Sequence, residues 1–132
     1  MSADKKKLVF LLEDNLPLRE VMKDVIEFQL PSECEVHDFS ELSALKQACK
    51  QTQPVLIVSD LDVLDAKAAE VIDFLQADIP PTLPVIISSG SREYTTVLAY
   101  QNRFKVYTKG DPMGIFTGFL DSCIPHKNSP SA

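Results

Sequence analysis

At 132 residues the chain has the length of one domain and enough of it to bury a sizeable core. Its composition, 45% hydrophobic and 24% charged, is that of an ordinary globular protein. A formal net charge of −6 and an isoelectric point near 4.8 leave no electrostatic footprint for nucleic acid. The one basic run, Lys5 to Lys7, is too short to dominate an acidic domain, and the apolar run after it stops at Glu13-Asp14, too early for a secretory h-region. No stretch approaches membrane-spanning length. The three cysteines, Cys34, Cys49 and Cys123, are odd in number and widely spaced, which argues for free thiols rather than disulfides or a zinc site. The expectation is a cytoplasmic protein with no membrane or nucleic-acid partner.

Leu8 to Leu12 is a continuous apolar run and reads as a first buried strand. Asn15 then caps a helix with Pro17 in its first turn and Leu18, Val21, Met22 and Val25 at helical spacing; Pro31 ends it. Glu35 to Phe39 is a less apolar strand, expected near a sheet edge. Ser40 is expected to cap a second helix with Leu42, Leu45, Ala48 and Cys49 inward. Pro54 leads into Val55 to Val58, a β-branched run that reads as a third buried strand and ends in Ser59, Asp60, Asp62 and Asp65.

Asp65 is expected to cap a third helix that turns Ala69, Ile72 and Leu75 inward. After a Pro-rich loop, Val85 to Ile87 forms a fourth strand ending at Ser88-Ser89-Gly90. Ser91 to Gln101 reads as a helix of weaker pattern, and Lys105 to Thr108 as a fifth strand running into Lys109-Gly110. Asp111-Pro112 starts a last helix with Met113, Phe116, Leu120 and Cys123 as its stripe, and Pro125 stops it. The tail, 126–132, is polar and expected to be disordered. Strand and helix alternate five times, which predicts an α/β fold with a parallel sheet and helices on both faces.

Ligands of such sheets sit beyond the carboxyl ends of the strands. There the chain places Glu13 and Asp14 after strand one, Asp60 after strand three, Ser88 and Ser89 after strand four, and Lys109 after strand five. Any one of these alone is most simply a helix cap or a solvated charge. Converging carboxylates without His or Cys make an oxygen-donor site suited to Mg²⁺. A carboxylate is also a nucleophile towards phosphorus, and an ammonium and a hydroxyl suit the oxygens of a transferring phosphoryl group.

The segments Leu11 to Asn15 (LLEDN), Val58 to Asp62 (VSDLD), Pro84 to Gly90 (PVIISSG) and Tyr107 to Gly110 (YTKG) resemble, in this order, the receiver domains of two-component response regulators. The resemblance runs from Leu8 to about Cys123 and implies one receiver domain over 1–125, with 126–132 a tail or the start of a linker. It implies the flavodoxin-like (βα)5 architecture, five parallel strands in the order 2-1-3-4-5. It also implies that Asp60 accepts a phosphoryl group from a sensor histidine kinase or a phosphotransfer protein of a phosphorelay. Glu13, Asp14, Asp60 and the backbone carbonyl of Asp62 would hold Mg²⁺, Ser89 would take the hydroxyl switch role, and Lys109 would pair with the phosphoryl group. Such a domain is a signalling module rather than an enzyme. It contacts a downstream protein or a second copy of itself through the face of the fourth helix, fifth strand and fifth helix, where Tyr94, Tyr100, Phe104 and Tyr107 cluster in this sequence.

Three positions depart from the family pattern: Leu64 replaces a Pro, Gly110 replaces the Pro after Lys109, and Val106 stands where a switch aromatic is common. Tyr107, next to it, belongs to the opposite face of the strand. Two other readings remain open at this point. One is a receiver-like interaction module that does not switch. The other is a haloacid-dehalogenase-like phosphatase, suggested by Asp60-Leu-Asp62, although that pattern follows a first strand. The turn after strand one holds no glycine, so a nucleotide-binding Gly-rich loop is excluded.

Overall fold

A computed structural model describes residues 6–90 and 103–124. The strands are β1 (Lys7–Leu12), β2 (Cys34–Phe39), β3 (Leu56–Asp60), β4 (Val85–Ser89) and β5 (Lys105–Thr108). The helices are α1 (Leu16–Gln29), α2 (Leu42–Gln51), α3 (Ala68–Ala77) and α4 (Met113–Cys123), numbered through the described residues. The helix expected over Ser91 to Gln101 and the tail 126–132 lie outside them. All neighbouring strands pair in parallel, in the order β2-β1-β3-β4-β5.

The two apolar faces of the sheet explain why β1, β3 and β4 read as continuous apolar runs rather than alternating ones. One face carries Phe10, Leu12, Ile57, Val85 and Ile87 against Leu45 of α2 and Val71, Ile72 and Leu75 of α3. The other carries Val9, Leu11, Val58, Ile86 and Tyr107 against Met22 and Ile26 of α1 and Phe116 and Leu120 of α4. The two edge strands, β2 and β5, are only partly buried, as the weaker apolar pattern of the former predicts.

Asn15 caps α1 as expected, its side-chain oxygen accepting from Leu18 N at 3.0 Å. Two other caps differ from the sequence reading. Ser40 does not cap α2, and Asp65 does not cap α3, which starts three residues later at Ala68. Instead the Asp65 carboxylate crosses to α2 and accepts from Leu42 N at 2.7 Å and Ser43 N at 3.0 Å. The loop after β3 folds back through a bridge between Val63 and Ala66, which turns Asp65 towards the open end of α2. A carboxylate is favoured there by the unpaired N–H groups and the helix dipole. On α3, Lys67 N donates to Glu70 Oε1 at 2.8 Å.

The late start of α3 also shifts its buried face to Val71, Ile72, Phe74 and Leu75, leaving Ala69 exposed. On α1 the inward positions are Met22 and Ile26, and Val21 is half exposed. Gly110 takes φ +105° directly after Lys109, a conformation that L side chains rarely adopt.

Because one carboxylate serves two orphan N–H groups of α2, Asp65→Ala is expected to lower stability by ~1 kcal/mol, and Asp65→Asn by less. Urea unfolding midpoints measure this; an unchanged midpoint for Asp65→Ala would show that the bridge between the β3–α3 loop and α2 contributes nothing.

Candidate functional site

The carboxyl ends of β1, β3 and β5 meet at one point because β1 and β3 are neighbours and β5 lies one strand beyond β4. Glu13 continues the ladder past β1, its N–H donating to Phe39 O at 3.0 Å, and its side chain is buried. Asn15 N donates to Glu13 Oε2 at 3.2 Å, so the cap of α1 and the acid before it are one hydrogen-bonded turn. Asp60 ends β3 and is 1% exposed. Its Oδ1 accepts from Leu61 N at 2.8 Å and Asp62 N at 3.2 Å.

Lys109 joins these acids. Its N–H donates to Ser89 O at 2.8 Å, which extends the β4–β5 pairing by one residue. Its Nζ lies 3.1 Å from Glu13 Oε1 and 3.2 Å from Asp60 Oδ1. Glu13, Asp14 and Asp60 each bring one carboxylate oxygen to a group in which all such atoms lie within 4.8 Å of one another. Among the described residues Asp60 Oδ2 is buried and has no hydrogen-bond partner. An all-oxygen donor set with such an orphaned oxygen fits a hard divalent cation of the Mg²⁺ type.

Ser89 is fully buried beside this group, and its Oγ donates to Gly90 O at 2.8 Å. Asp62 reaches Asp60 through its N–H; its own side chain is exposed and lies outside the group of three acids. Val106 packs on the α2–α3 side of the sheet and Tyr107 on the α1–α4 side, as strand alternation predicts. Phe104 and Tyr107 are buried packing residues, so neither presents an aromatic surface to a partner. Tyr94 and Tyr100 lie outside the described residues. Asp60 ends the third strand, in the middle of the sheet, which is not the first-strand position of the dehalogenase-like pattern.

One residue that supports the site, Arg19, was not legible in the sequence, whereas Ser88 stood at its strand end from the start. In sequence Arg19 is one of the charged residues between the apolar positions Leu18 and Val21 of α1, yet its Nη1 donates to Glu13 O at 3.0 Å and its Nε pairs with Asp38 Oδ2 at 2.9 Å. It holds the β1–α1 turn against the end of β2. Its position one turn into the helix after an acidic pair was the available signal. Ser88, in register with Asp60 on β3 and Tyr107 on β5, is buried, and its Oγ has no partner among the described residues.

The electrostatics follow from crowding. Burial pushes the Glu13 carboxyl up, the neighbouring Asp60 adds to this and Lys109 opposes it, leaving its pKa at about 7. Asp14 is raised by burial and by Asp60 and Asp62. Burial works against the charge of Lys109, but Asp60 and Glu13 outweigh it and hold its pKa above the usual lysine value.

No protein-family model and no curated protein matches the chain. Solved structures do. A response regulator receiver domain protein from Clostridium thermocellum superposes with a TM-score of 0.74 over 89% of this chain and 94% of its own, at 14% identity. The chain has the receiver-domain fold. The response regulator protein TrrA from Thermotoga maritima, solved in complex with Mg²⁺ and BeF, is similar with a TM-score of 0.75 over 89% of this chain and 99% of its own, at 12% identity. Adenylate cyclase from Rhodopirellula baltica also matches, with a TM-score of 0.75 over 90% of this chain and 87% of that one, at 18% identity. At such identities the likeness is one of fold. Among the described residues no helix is long and apolar enough to cross a membrane.

A Glu whose pKa is higher folded than unfolded binds its proton more tightly in the native state, so its contribution to stability is present at low pH and is lost as pH rises through the folded value. In EDTA, stability is therefore expected to fall between pH 5 and pH 8, and Glu13→Gln is expected to reduce that fall by ~1–3 kcal/mol. Chemical denaturation at a series of pH values measures both slopes; identical slopes would show that Glu13 titrates normally.

Proposed function

We propose that this chain is a response-regulator receiver domain that takes a phosphoryl group on Asp60 from the phosphohistidine of a sensor kinase or phosphotransfer protein. The observation that carries this reading is the asymmetry of the Asp60 carboxylate. Oδ1 is held by two backbone N–H groups and the Lys109 ammonium, while Oδ2 is buried and has no hydrogen-bond partner among the described residues. Oδ2 is then the nucleophile: its bond to phosphorus forms as the donor's P–N bond breaks, and the electron pair leaves on the imidazole nitrogen.

Glu13, Asp14, Asp60 and the backbone carbonyl of Asp62 would hold Mg²⁺. When bound, the ion supplies the positive charge that lets phosphoryl oxygens approach these acids. Lys109 already stands against Asp60 and pairs with the incoming oxygens without reorganising. Ser89 rotates its hydroxyl away from Gly90 O to donate to the phosphoryl group. The residues around Asp60 carry out phosphorylation and its hydrolysis and turn over no further substrate, so the domain is a switch rather than an enzyme. Its output is protein contact, with a downstream partner or a second copy, through the face that includes β5 and α4, where Lys105 Nζ lies over the Phe119 ring at 5.6 Å. Val106 offers no aromatic partner to Ser89, so that output does not run through a hydroxyl–aromatic pair on β5.

Incubation with Mg²⁺ and acetyl phosphate is expected to add one phosphoryl group to the intact mass. EDTA or Asp60→Asn abolishes the gain, and Lys109→Ala slows it. No gain by a folded protein would exclude the reading in favour of a non-switching module. Asp62 adjoins the acceptor, and its exposed carboxylate can hold the hydrolytic water. Asp62→Asn is expected to lengthen the phosphoryl lifetime by up to ~10-fold, followed as decay of the phosphorylated mass after the donor is removed. An unchanged lifetime would leave Asp62 with its backbone role alone.

A further inference from the structure

Behind the acidic group, on the α1–α4 side of the sheet, lies a cavity of about 200 Å³. Ser88 and Tyr107, neighbours in the β4–β5 register, form its floor. Met22 of α1 and Met113 and Phe116 of α4 form its sides, and Lys109 closes its upper end. Ser88 is 1% exposed, and its Oγ lacks a hydrogen-bond partner among the described residues. Tyr107 does not serve it; the Tyr107 hydroxyl donates instead to Asp111 O at 2.8 Å. A buried hydroxyl without a partner is costly, and an apolar residue at this position would have filled the space.

We propose that this cavity binds an uncharged ligand of about one aromatic ring with a single hydrogen-bonding group, a molecule of the phenol or aryl-alcohol class. Size sets the first limit: a dry cavity of ~150 Å³ lined by apolar side chains accommodates benzene. The orphaned Ser88 Oγ sets the second, since it offers one hydrogen bond at the floor of an otherwise apolar site. Charge sets the third. The Lys109 ammonium is turned towards Glu13 and Asp60, so an anion in the cavity would lack a counter-charge there and a cation would sit uncompensated. The thioethers of Met22 and Met113 adapt to an aromatic ring at favourable S–π contact. An occupant rests against the stem of Lys109 while its Nζ pairs with Asp60, so binding here and the acidic group share one side chain.

Of the three methionines in the chain, two line the cavity, which provides a direct readout. With methyl-13C methionine, titration with phenol is expected to shift the Met22 and Met113 resonances together and saturably, at ~millimolar concentration. Toluene, which fills the space but makes no hydrogen bond, is expected to bind ~5-fold more weakly. Ser88→Ala removes only the orphaned hydroxyl, so it should fold and should reduce phenol affinity to that of toluene. Ser88→Leu projects a larger apolar side chain into the cavity and should weaken both shifts. Non-saturating shifts, or phenol affinity unchanged by Ser88→Ala, would overturn the proposal and leave the cavity a packing defect. The titration needs no phosphoryl donor, so its outcome stands whether or not Asp60 is phosphorylated.

Discussion

The site depends on the Lys109 ammonium lying between Glu13 and Asp60, at 3.1 and 3.2 Å. Each such contact is worth ~5 kcal/mol at the effective dielectric of a protein interior, against a desolvation penalty of several kcal/mol for each buried ion. One cation facing three carboxyl groups does not balance that account, and burial, with repulsion from Asp60, raises the pKa of both Glu13 and Asp14. The arrangement is therefore poised to take on more positive charge. That is a physical reason to regard it as a functional group rather than a stabilising one, because an ion pair kept only for stability would be matched one to one.

Lys109 reaches this position because of what lies beneath it. β4 and β5 pair in register up to Ser89 and Thr108, and the Lys109 N–H extends the ladder one step further. Gly110 then turns the chain with a φ of +105°, so the ammonium points back across the sheet while α4 starts two residues after Asp111. On the opposite side, Arg19 ties the carbonyl of Glu13 to Asp38 at the end of β2. The ends of β1, β3 and β5 thus position a group only a few ångströms across, anchored by backbone hydrogen bonds as well as by side chains.

The architecture was legible in the sequence because it rests on period. β1, β3 and β4 are buried on both faces and read as unbroken apolar runs; the edge strand β2 does not. The acids, Ser89 and Lys109 were legible because each stands at the end of such a run, where topology alone brings residues together. What could not be read depends on the path of loops. Asp65 has the residue type and place of a cap for the helix that follows it, yet its loop doubles back and it caps α2. Arg19 has the spacing of an exposed face, and only the tertiary position of Asp38 draws it in. No local rule distinguishes these cases, because the deciding partner is 23 residues away in the first and 19 in the second.

The phase of β5 decides which layer of the molecule its aromatic side chain joins. Strand alternation assigns Val106 to the α2–α3 side and Tyr107 to the α1–α4 side, where its ring stacks at a tilt on Phe116, with centroids 5.3 Å apart. Moving an aromatic by one residue along a strand does not weaken a contact; it moves the contact to the other layer of the molecule. The aromatic bulk of β5 therefore lies in the layer of α1 and α4, on the same face as Asp60, Ser88 and Lys109. Tyr107 is also bonded through its hydroxyl to Asp111, at the turn that leads from Lys109 into α4.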